Sequence, residues 1–310
     1  MTTLSSSAGT PAARARLTAA LLLGCACLFW AGNFVLGRAA AGEVPPAGLA
    51  FWRWALAALL LAPFVARPLW AARAGLARAW RILLALGVLG VGGFTTLTYV
   101  ALTRTEAINA ALTNSLIPVA ILVSALALDR ERPARTQLAG LAVSLAGVSV
   151  IVARGDPAAL AGLRVNGGDL VMLVAVAAWA LYTVLLRRVP GELRERLGPL
   201  GLLGATVVFG LPLLGLCRLG ELALDGNPMP TDAASLGLVA YTAVFPSLAS
   251  YLCWNGGVAL VGPAAAGPFL HLMPLFSAAL AVPLLGETVR PFHALGLVLI
   301  LAGVALAGRR

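Results

Sequence analysis

The chain has no lysine, only two histidines, and just 11% charged side chains among its 310 residues. Acids are the scarcer sign, twelve against twenty-two arginines, and none sits at the middle of an apolar run: Glu106 and Asp169 lie at run ends. These absences exclude chemistry. Neither His271 nor His293 has a carboxylate at i±3 or i±4, and there is no GxSxG, no HExxH and no glycine-rich loop with lysine. A nucleophile–base pair, a zinc-protease helix and a P-loop are therefore missing, which argues against an enzyme. Cys25, Cys27, Cys217 and Cys253 lie in or at the ends of apolar runs with no CxxC or Cys/His spacing. They read as buried thiols rather than disulfides or metal ligands, and neither a cofactor nor a metal is expected. Titratable side chains within or at the ends of the apolar runs are few, chiefly His271, Glu106 and Asp169.

What the chain does have is apolar length. Hydrophobic residues make up 60% of it, more than one soluble core can bury. They fall in ten runs of the length that crosses a hydrocarbon core: 17–37, 46–66, 82–103, 107–128, 136–153, 169–186, 198–217, 234–258, 264–284 and 292–308. The expected fold is an all-α polytopic membrane protein. Residues 1–16 read as a disordered cytoplasmic segment, and the first run is too long for a signal peptide and is retained as a helix.

Charge sets the expected orientation. With the N-terminus cytoplasmic, fifteen arginines and four acids fall on the inner side, and six arginines and eight acids on the outer. That bias supports an even number of spans with both termini inside. The net charge of +10 then faces lipid headgroups, and no nucleic-acid partner is needed.

A block also occurs twice. Residues 107–148 align without gaps to 263–304 at a shift of 156, with twelve of 42 positions identical, among them Pro118/Pro274, Glu131/Glu287, Gly140/Gly296 and Gly147/Gly303. A weaker echo at a shift of 149 joins Trp30, Asn33 and Arg38 to Trp179, Tyr182 and Arg187. Ten spans divide into two fives, and five is odd, so the second copy enters the membrane inverted. The repeats are expected at 17–153 and 169–308, joined by an extracytoplasmic linker at 154–168.

The FWAGNF and AWALYT segments, the ALTRTEAINAALTNSLIPV and VALVGPAAAGPFLHLMPLF helices and the GETVRPFHALGLVLILAGVAL ending resemble paired EamA domains of the drug/metabolite transporter superfamily. The first copy departs from the usual LGE turn, reading DRE at 129–131. Within the superfamily, the chain is similar to the YddG-type branch of bacterial aromatic and neutral amino-acid exporters. The resemblance implies a multi-pass protein of the bacterial inner membrane, monomer or homodimer, that exports a small molecule by alternating access. Efflux of lipophilic drugs, or of another metabolite, is the alternative on the same fold. An integral-membrane enzyme or a channel is the alternative class.

Polar groups within a span face a neighbouring helix or a wet cavity. Trp30, Tyr99, Trp179, Tyr182 and Trp254 are the candidate stacking surface, and Asn33, Asn114 and Ser250 the candidate partners of the substrate's polar end. His271 is either a proton relay or a neutral ring bonded to a nearby helix. Arg53, the only formal charge well inside a span, is the candidate carboxylate partner; a structural role, snorkelling or bonding exposed carbonyls, stands beside it. Pro118 and Pro274, at equivalent mid-span places, are candidate gating hinges. Trp52, Trp70 and Trp80 read as interfacial anchors.

Overall fold

The computed structural model describes residues 11–39, 43–105, 107–285 and 290–308, and the regular structure there is helical throughout. Residues 1–10, Glu106, Glu287, Arg309 and Arg310 lie outside the described residues, as does the side chain of Arg38. Ten long helices follow one another: α1 (Pro11–Ala39), α2 (Pro46–Ala71), α3 (Trp80–Leu102), α4 (Asn109–Asp129), α5 (Arg135–Val152), α6 (Gly167–Leu185), α7 (Gly191–Asp225), α8 (Ala233–Val261), α9 (Pro263–Leu280) and α10 (Pro291–Ala307). Among the described residues, nine helices are long and apolar enough to cross a membrane. The tenth, α10, has 17 residues, about 25 Å at 1.5 Å per residue and the low end of a spanning length. The protein is an all-helical, multi-pass membrane protein.

Local chemistry sets the boundaries. Pro46, Pro263 and Pro291 fall in the first turns of α2, α9 and α10, where a missing N–H costs no helical bond. Asn166 caps α6, its Oδ1 accepting from the N–H groups of Gly168 and Asp169 at 2.8 and 3.1 Å. Within α7, Gly198 adopts φ +63° just ahead of Pro199 and separates a charged leading turn from the apolar run. Pro118 and Pro274 also sit at breaks rather than inside continuous kinked helices. Pro118 lies in the first turn of a second helical piece, Ile117–Asp129, after a turn that follows Asn114. Pro274 follows a 3₁₀ stretch, Gly267–His271, near the start of Leu272–Leu285. Proline cannot supply the next helical N–H, so each helix is interrupted just before it.

The helices interlock across the middle of the chain. The main packing partners are α1 with α8 and α9, α6 with α3 and α4, α7 with α2 and α3, and α5 with α10. The α5–α10 seam is built on glycine: a Cβ on Gly303 would lie 2.5 Å from the Gly140 carbonyl oxygen, and one on Gly147 would lie 2.9 Å from the Gly296 oxygen. Pairing 140 with 303 and 147 with 296 makes these two helices antiparallel. Small residues let backbones approach this closely where lipid supplies no hydrophobic drive. Leu138, Leu295, Val298 and Leu301 remain exposed on the other faces of the pair. The glycine faces of these two helices are thus used within the chain.

Charged loops collect at two ends. At one, Arg187 pairs with Glu131 at 2.8 Å, Arg188 with Asp129 at 2.9 Å, and Arg196 donates to the Ala71 carbonyl. At the other, the far end of α6, Asp169 accepts from Thr105 and Asn109, and Glu221 accepts from the N–H groups of Ala47 and Gly48 at 2.8 Å each. Trp52, Trp70 and Trp80 are exposed, and the four cysteines are free.

Candidate functional site

Two helices share a deviation that the aligned block does not contain. Gly87–Gly93 in α3 and Ala243–Ala249 in α8 are seven-residue π-helical stretches, and their positions differ by 156, the shift of the repeated block. Such widened turns release backbone groups and cluster at functional sites. In α8 the cause is visible. Pro246 has no N–H to give the Thr242 carbonyl, and the Ser247 hydroxyl donates to that oxygen instead, at 2.8 Å. The Pro246 carbonyl accepts from Trp30 Nε1 at 3.0 Å, and its counterpart in α3, the Gly90 carbonyl, accepts from the Tyr251 hydroxyl. Gly90 lies directly beneath the Tyr182 ring, so close that a Cβ there would meet Cε2 at 2.6 Å.

Around these stretches the aromatic side chains form one buried cluster. Trp179 is its hub, with ring centroids 5.0 Å from Trp30, 4.8 Å from Phe94, 5.1 Å from Tyr182, 5.3 Å from Tyr251 and 6.0 Å from Trp254. Trp54 joins through Tyr251 at 4.9 Å, edge to face. The rings are in contact with one another. The Trp254 indole N–H reaches Thr183 at 3.3 Å, whereas the buried N–H groups of Trp54 and Trp179 have no partner. An unpaired buried donor is costly, so each of these indoles is left wanting an acceptor.

Arg53 stands next to this cluster, 4% exposed, with its guanidinium 5.8 Å from the Trp54 ring. Nε donates to Ser247 at 2.8 Å, and a terminal nitrogen donates to the Tyr99 hydroxyl at 2.9 Å. Tyr99 in turn donates to Asn33 Oδ1 at 3.3 Å. Among the described residues no carboxylate lies within ion-pair distance of Arg53. A buried cation held only by neutral groups retains donors and charge for an anion.

The structure thus brings Trp30, Trp179, Tyr182 and Trp254 into one cluster and joins Asn33, Tyr99 and Arg53 in one hydrogen-bonded chain. The other candidates lie elsewhere or are engaged. Ser250 donates to the Ala26 carbonyl of α1 at 3.2 Å. His271 is fully buried away from the rings, with Nε2 donating to the Ser115 carbonyl at 2.9 Å and Nδ1 2.6 Å from Ser144 Oγ. Asn114 ends the first piece of α4 with its buried Oδ1 unpartnered. Trp54 was not among the expected residues. Its depth, eight residues past Pro46 and beside Arg53, was the signal available. Phe94 and Tyr251 also join the cluster, and Asn255, on the same helix as Tyr251 and Trp254, accepts through Oδ1 from the Tyr182 hydroxyl at 2.9 Å.

A many-helix membrane bundle with a buried cation beside an aromatic cluster is an architecture suited to carrying a small molecule across a membrane. The EamA-like transporter family matches the chain twice, over residues 17–153 and 166–309, and the chain belongs to that family. It is a transporter and not an enzyme. It is similar to the uncharacterized transporter YyaM of Bacillus subtilis, 27% identical over 283 residues and covering 90% of each chain. An uncharacterized transporter of Archaeoglobus fulgidus is 28% identical, over 92% of this chain and 96% of that one. A probable terminal-alkyne amino-acid exporter of Streptantibioticus cattleyicolor is 27% identical, over 91% and 90%. A crystal structure 22% identical in sequence aligns with a TM-score of 0.71, over 93% of this chain and 96% of that one, which speaks to the fold alone.

Proposed function

We propose that the protein exports amino acids, aromatic and other neutral ones, across the bacterial inner membrane by alternating access. The observation that carries the reading is Arg53: a buried guanidinium with neutral partners, 5.8 Å from the ring of Trp54, whose buried indole N–H is unpaired. This is a donor-rich pocket suited to a carboxylate. The aromatic faces next to it suit an apolar side chain, and the amide oxygen of Asn33, joined to Arg53 through Tyr99, suits an ammonium group. The S. cattleyicolor relative, by its name an amino-acid exporter, supports the same substrate class.

The scaffold on this reading is an inverted pair, 17–153 and 169–308, with the linker 154–168 outside and both termini cytoplasmic. Four observations support it. Exchanging each helix with the one five later turns the α1–α8 and α1–α9 packings into α6–α3 and α6–α4 and leaves α2–α7 and α5–α10 unchanged. The glycine seam is antiparallel, with Gly140–Gly303 exchanged for Gly147–Gly296. Trp30 touches Trp179, its own counterpart, and His271 bonds the carbonyl of Ser115, its own counterpart. The π-helical stretches match at the same shift. Elements that meet their own equivalents lie on a pseudo-two-fold axis, where transporters of this kind bind substrate.

The test is counterflow in proteoliposomes. Vesicles loaded with one amino acid should accumulate labelled tryptophan, phenylalanine or leucine, with or without a pH gradient. Lack of exchange for every amino acid in the panel, with lipophilic dyes moving instead, would overturn the substrate assignment in favour of drug efflux.

A further inference from the structure

The two halves each contain a tyrosine–asparagine hydrogen bond, with the residues exchanged. In one, Tyr99 of α3 donates to Asn33 of α1; in the other, Tyr182 of α6 donates to Asn255 of α8. Asn33 corresponds to Tyr182 at the shift of 149, and Tyr99 to Asn255 at the shift of 156. The same bond is therefore made in both halves by opposite assignments of donor and acceptor. Each joins the first helix of its half to the π-bearing helix that follows.

The bonds lie on opposite sides of the tryptophan contact. Asn33 is three residues past Trp30 along α1, and Tyr182 three residues past Trp179 along α6, about 4.5 Å in each case. The helix directions place the Asn33–Tyr99 bond toward the Asp169 end and the Tyr182–Asn255 bond toward the Arg187 end. We propose that these two bonds are the gates of the transport path, one closing each end around the aromatic cluster. Opening either requires the π-bearing helix to part from its partner, and a π stretch is a place where a helix can change its turn without losing its ladder. The Asp169-end gate carries a further control. Its Tyr99 also accepts from Arg53, so a carboxylate that takes up the guanidinium draws on the same hydroxyl that holds the gate.

The inference rests on the transporter reading but not on the substrate. It is tested by sided labelling, which needs no amino acid and can succeed where amino-acid counterflow fails. In a background with Cys25, Cys27, Cys217 and Cys253 replaced by alanine, Ser250→Cys places a near-isosteric reporter between the gates. Thr95→Cys, four residues before Tyr99, is the second reporter should the first not fold. An impermeant maleimide is applied to sealed vesicles of each orientation, with the Arg187 end identified as the face on which Arg188→Cys is labelled. One neutral hydrogen bond removed shifts such a two-state balance by about two- to tenfold. Tyr182→Phe should raise labelling from the Arg187 end by that factor, and Tyr99→Phe from the opposite end, with Asn255→Ala and Asn33→Ala repeating the two effects. Labelling that rises from the same face in both tyrosine variants, or in neither, overturns the assignment.

Discussion

Replacing Arg53 by methionine separates a substrate-binding guanidinium from a structural one. In the folded protein Arg53 gives two charge-assisted hydrogen bonds, to Ser247 at 2.8 Å and to Tyr99 at 2.9 Å. Neither acceptor is stranded by its loss, because Ser247 still donates to the Thr242 carbonyl and Tyr99 still donates to Asn33. The two lost bonds are worth roughly 1.5–3 kcal/mol each. Against that stands the desolvation of a buried guanidinium, which costs several kcal/mol and which methionine avoids. The terms largely offset, and the net change in stability should stay within about 2 kcal/mol. Binding behaves differently. A carboxylate deprived of its buried cationic partner loses roughly 3–5 kcal/mol, equivalent to a 100- to 4,000-fold weaker apparent affinity at 1.4 kcal/mol per decade. The assay is counterflow competition by an amino acid and by the corresponding amine lacking the carboxylate, paired with thermal unfolding in detergent. Arg53→Met should fall steeply for the acid and little for the amine, at a nearly unchanged melting temperature. A variant that melts early yet exports amino acids with unchanged affinity would refute the reasoning and leave Arg53 a structural residue.

The α5–α10 seam should tolerate no branched side chain: in Gly303→Val the Cβ would stand 2.5 Å from the Gly140 oxygen and from the Ser144 nitrogen, both backbone atoms, and unfolding in detergent should show a loss of about 1–3 kcal/mol or more. Glu221→Ala should cost about 3–5 kcal/mol by the same measurement, since it leaves two N–H groups of α2 and the buried Arg218, 2.7 Å away, without their carboxylate; Glu221→Gln, which keeps an acceptor, should recover part of it. Asp232 caps α8 from outside the span, and the Ser235 hydroxyl together with backbone N–H groups holds its carboxyl below the usual value of 3.8. A lowered folded value means the cap is fully present above pH 3.8 and is lost as pH falls through the lower value. Amide exchange at Ala234 and Ser235 should therefore quicken in acid in the native chain, and Asp232→Asn should abolish that pH step.

The spans were legible because each is a long apolar run bounded by charge or proline. That pattern depends only on local composition, and the structure places helices over all ten runs. The aromatic residues of the site were legible for a related reason: Trp30, Trp179 and Trp254 lie too deep for headgroup anchoring. What the sequence could not give was pairing. Ser250 has the same chemistry as Ser247, yet one hydroxyl bonds the Ala26 carbonyl and the other receives Arg53, a difference set by how α8 rotates through its π-helical stretch. His271 offers a titratable ring wherever it falls, and only packing reveals that Ser115 and Ser144 occupy both of its nitrogens. The two stretches share no residue pattern, since one spans Gly87, Gly90, Gly92 and Gly93 and the other is centred on Pro246, which lacks an N–H. Residue matching does not register that equivalence.

The exchanged tyrosine–asparagine bonds bear on why a duplicated scaffold can work as a carrier. Alternating access needs two end states within a few kcal/mol of one another, because a state disfavoured by about 5.5 kcal/mol is populated too little to carry flux without a strongly selective ligand. Two gates made from the same pair of functional groups have similar strengths whichever helix supplies the hydroxyl, so the bare scaffold is close to balanced. Arg53 breaks that balance on one side only, where it lends a charge-assisted bond to Tyr99 and none to Asn255. On the proposed reading, a substrate carboxylate that engages Arg53 would remove that bias, and its departure would restore it. On the same reading, near-symmetry of the gates together with asymmetry of the charge would let substrate binding decide which end opens.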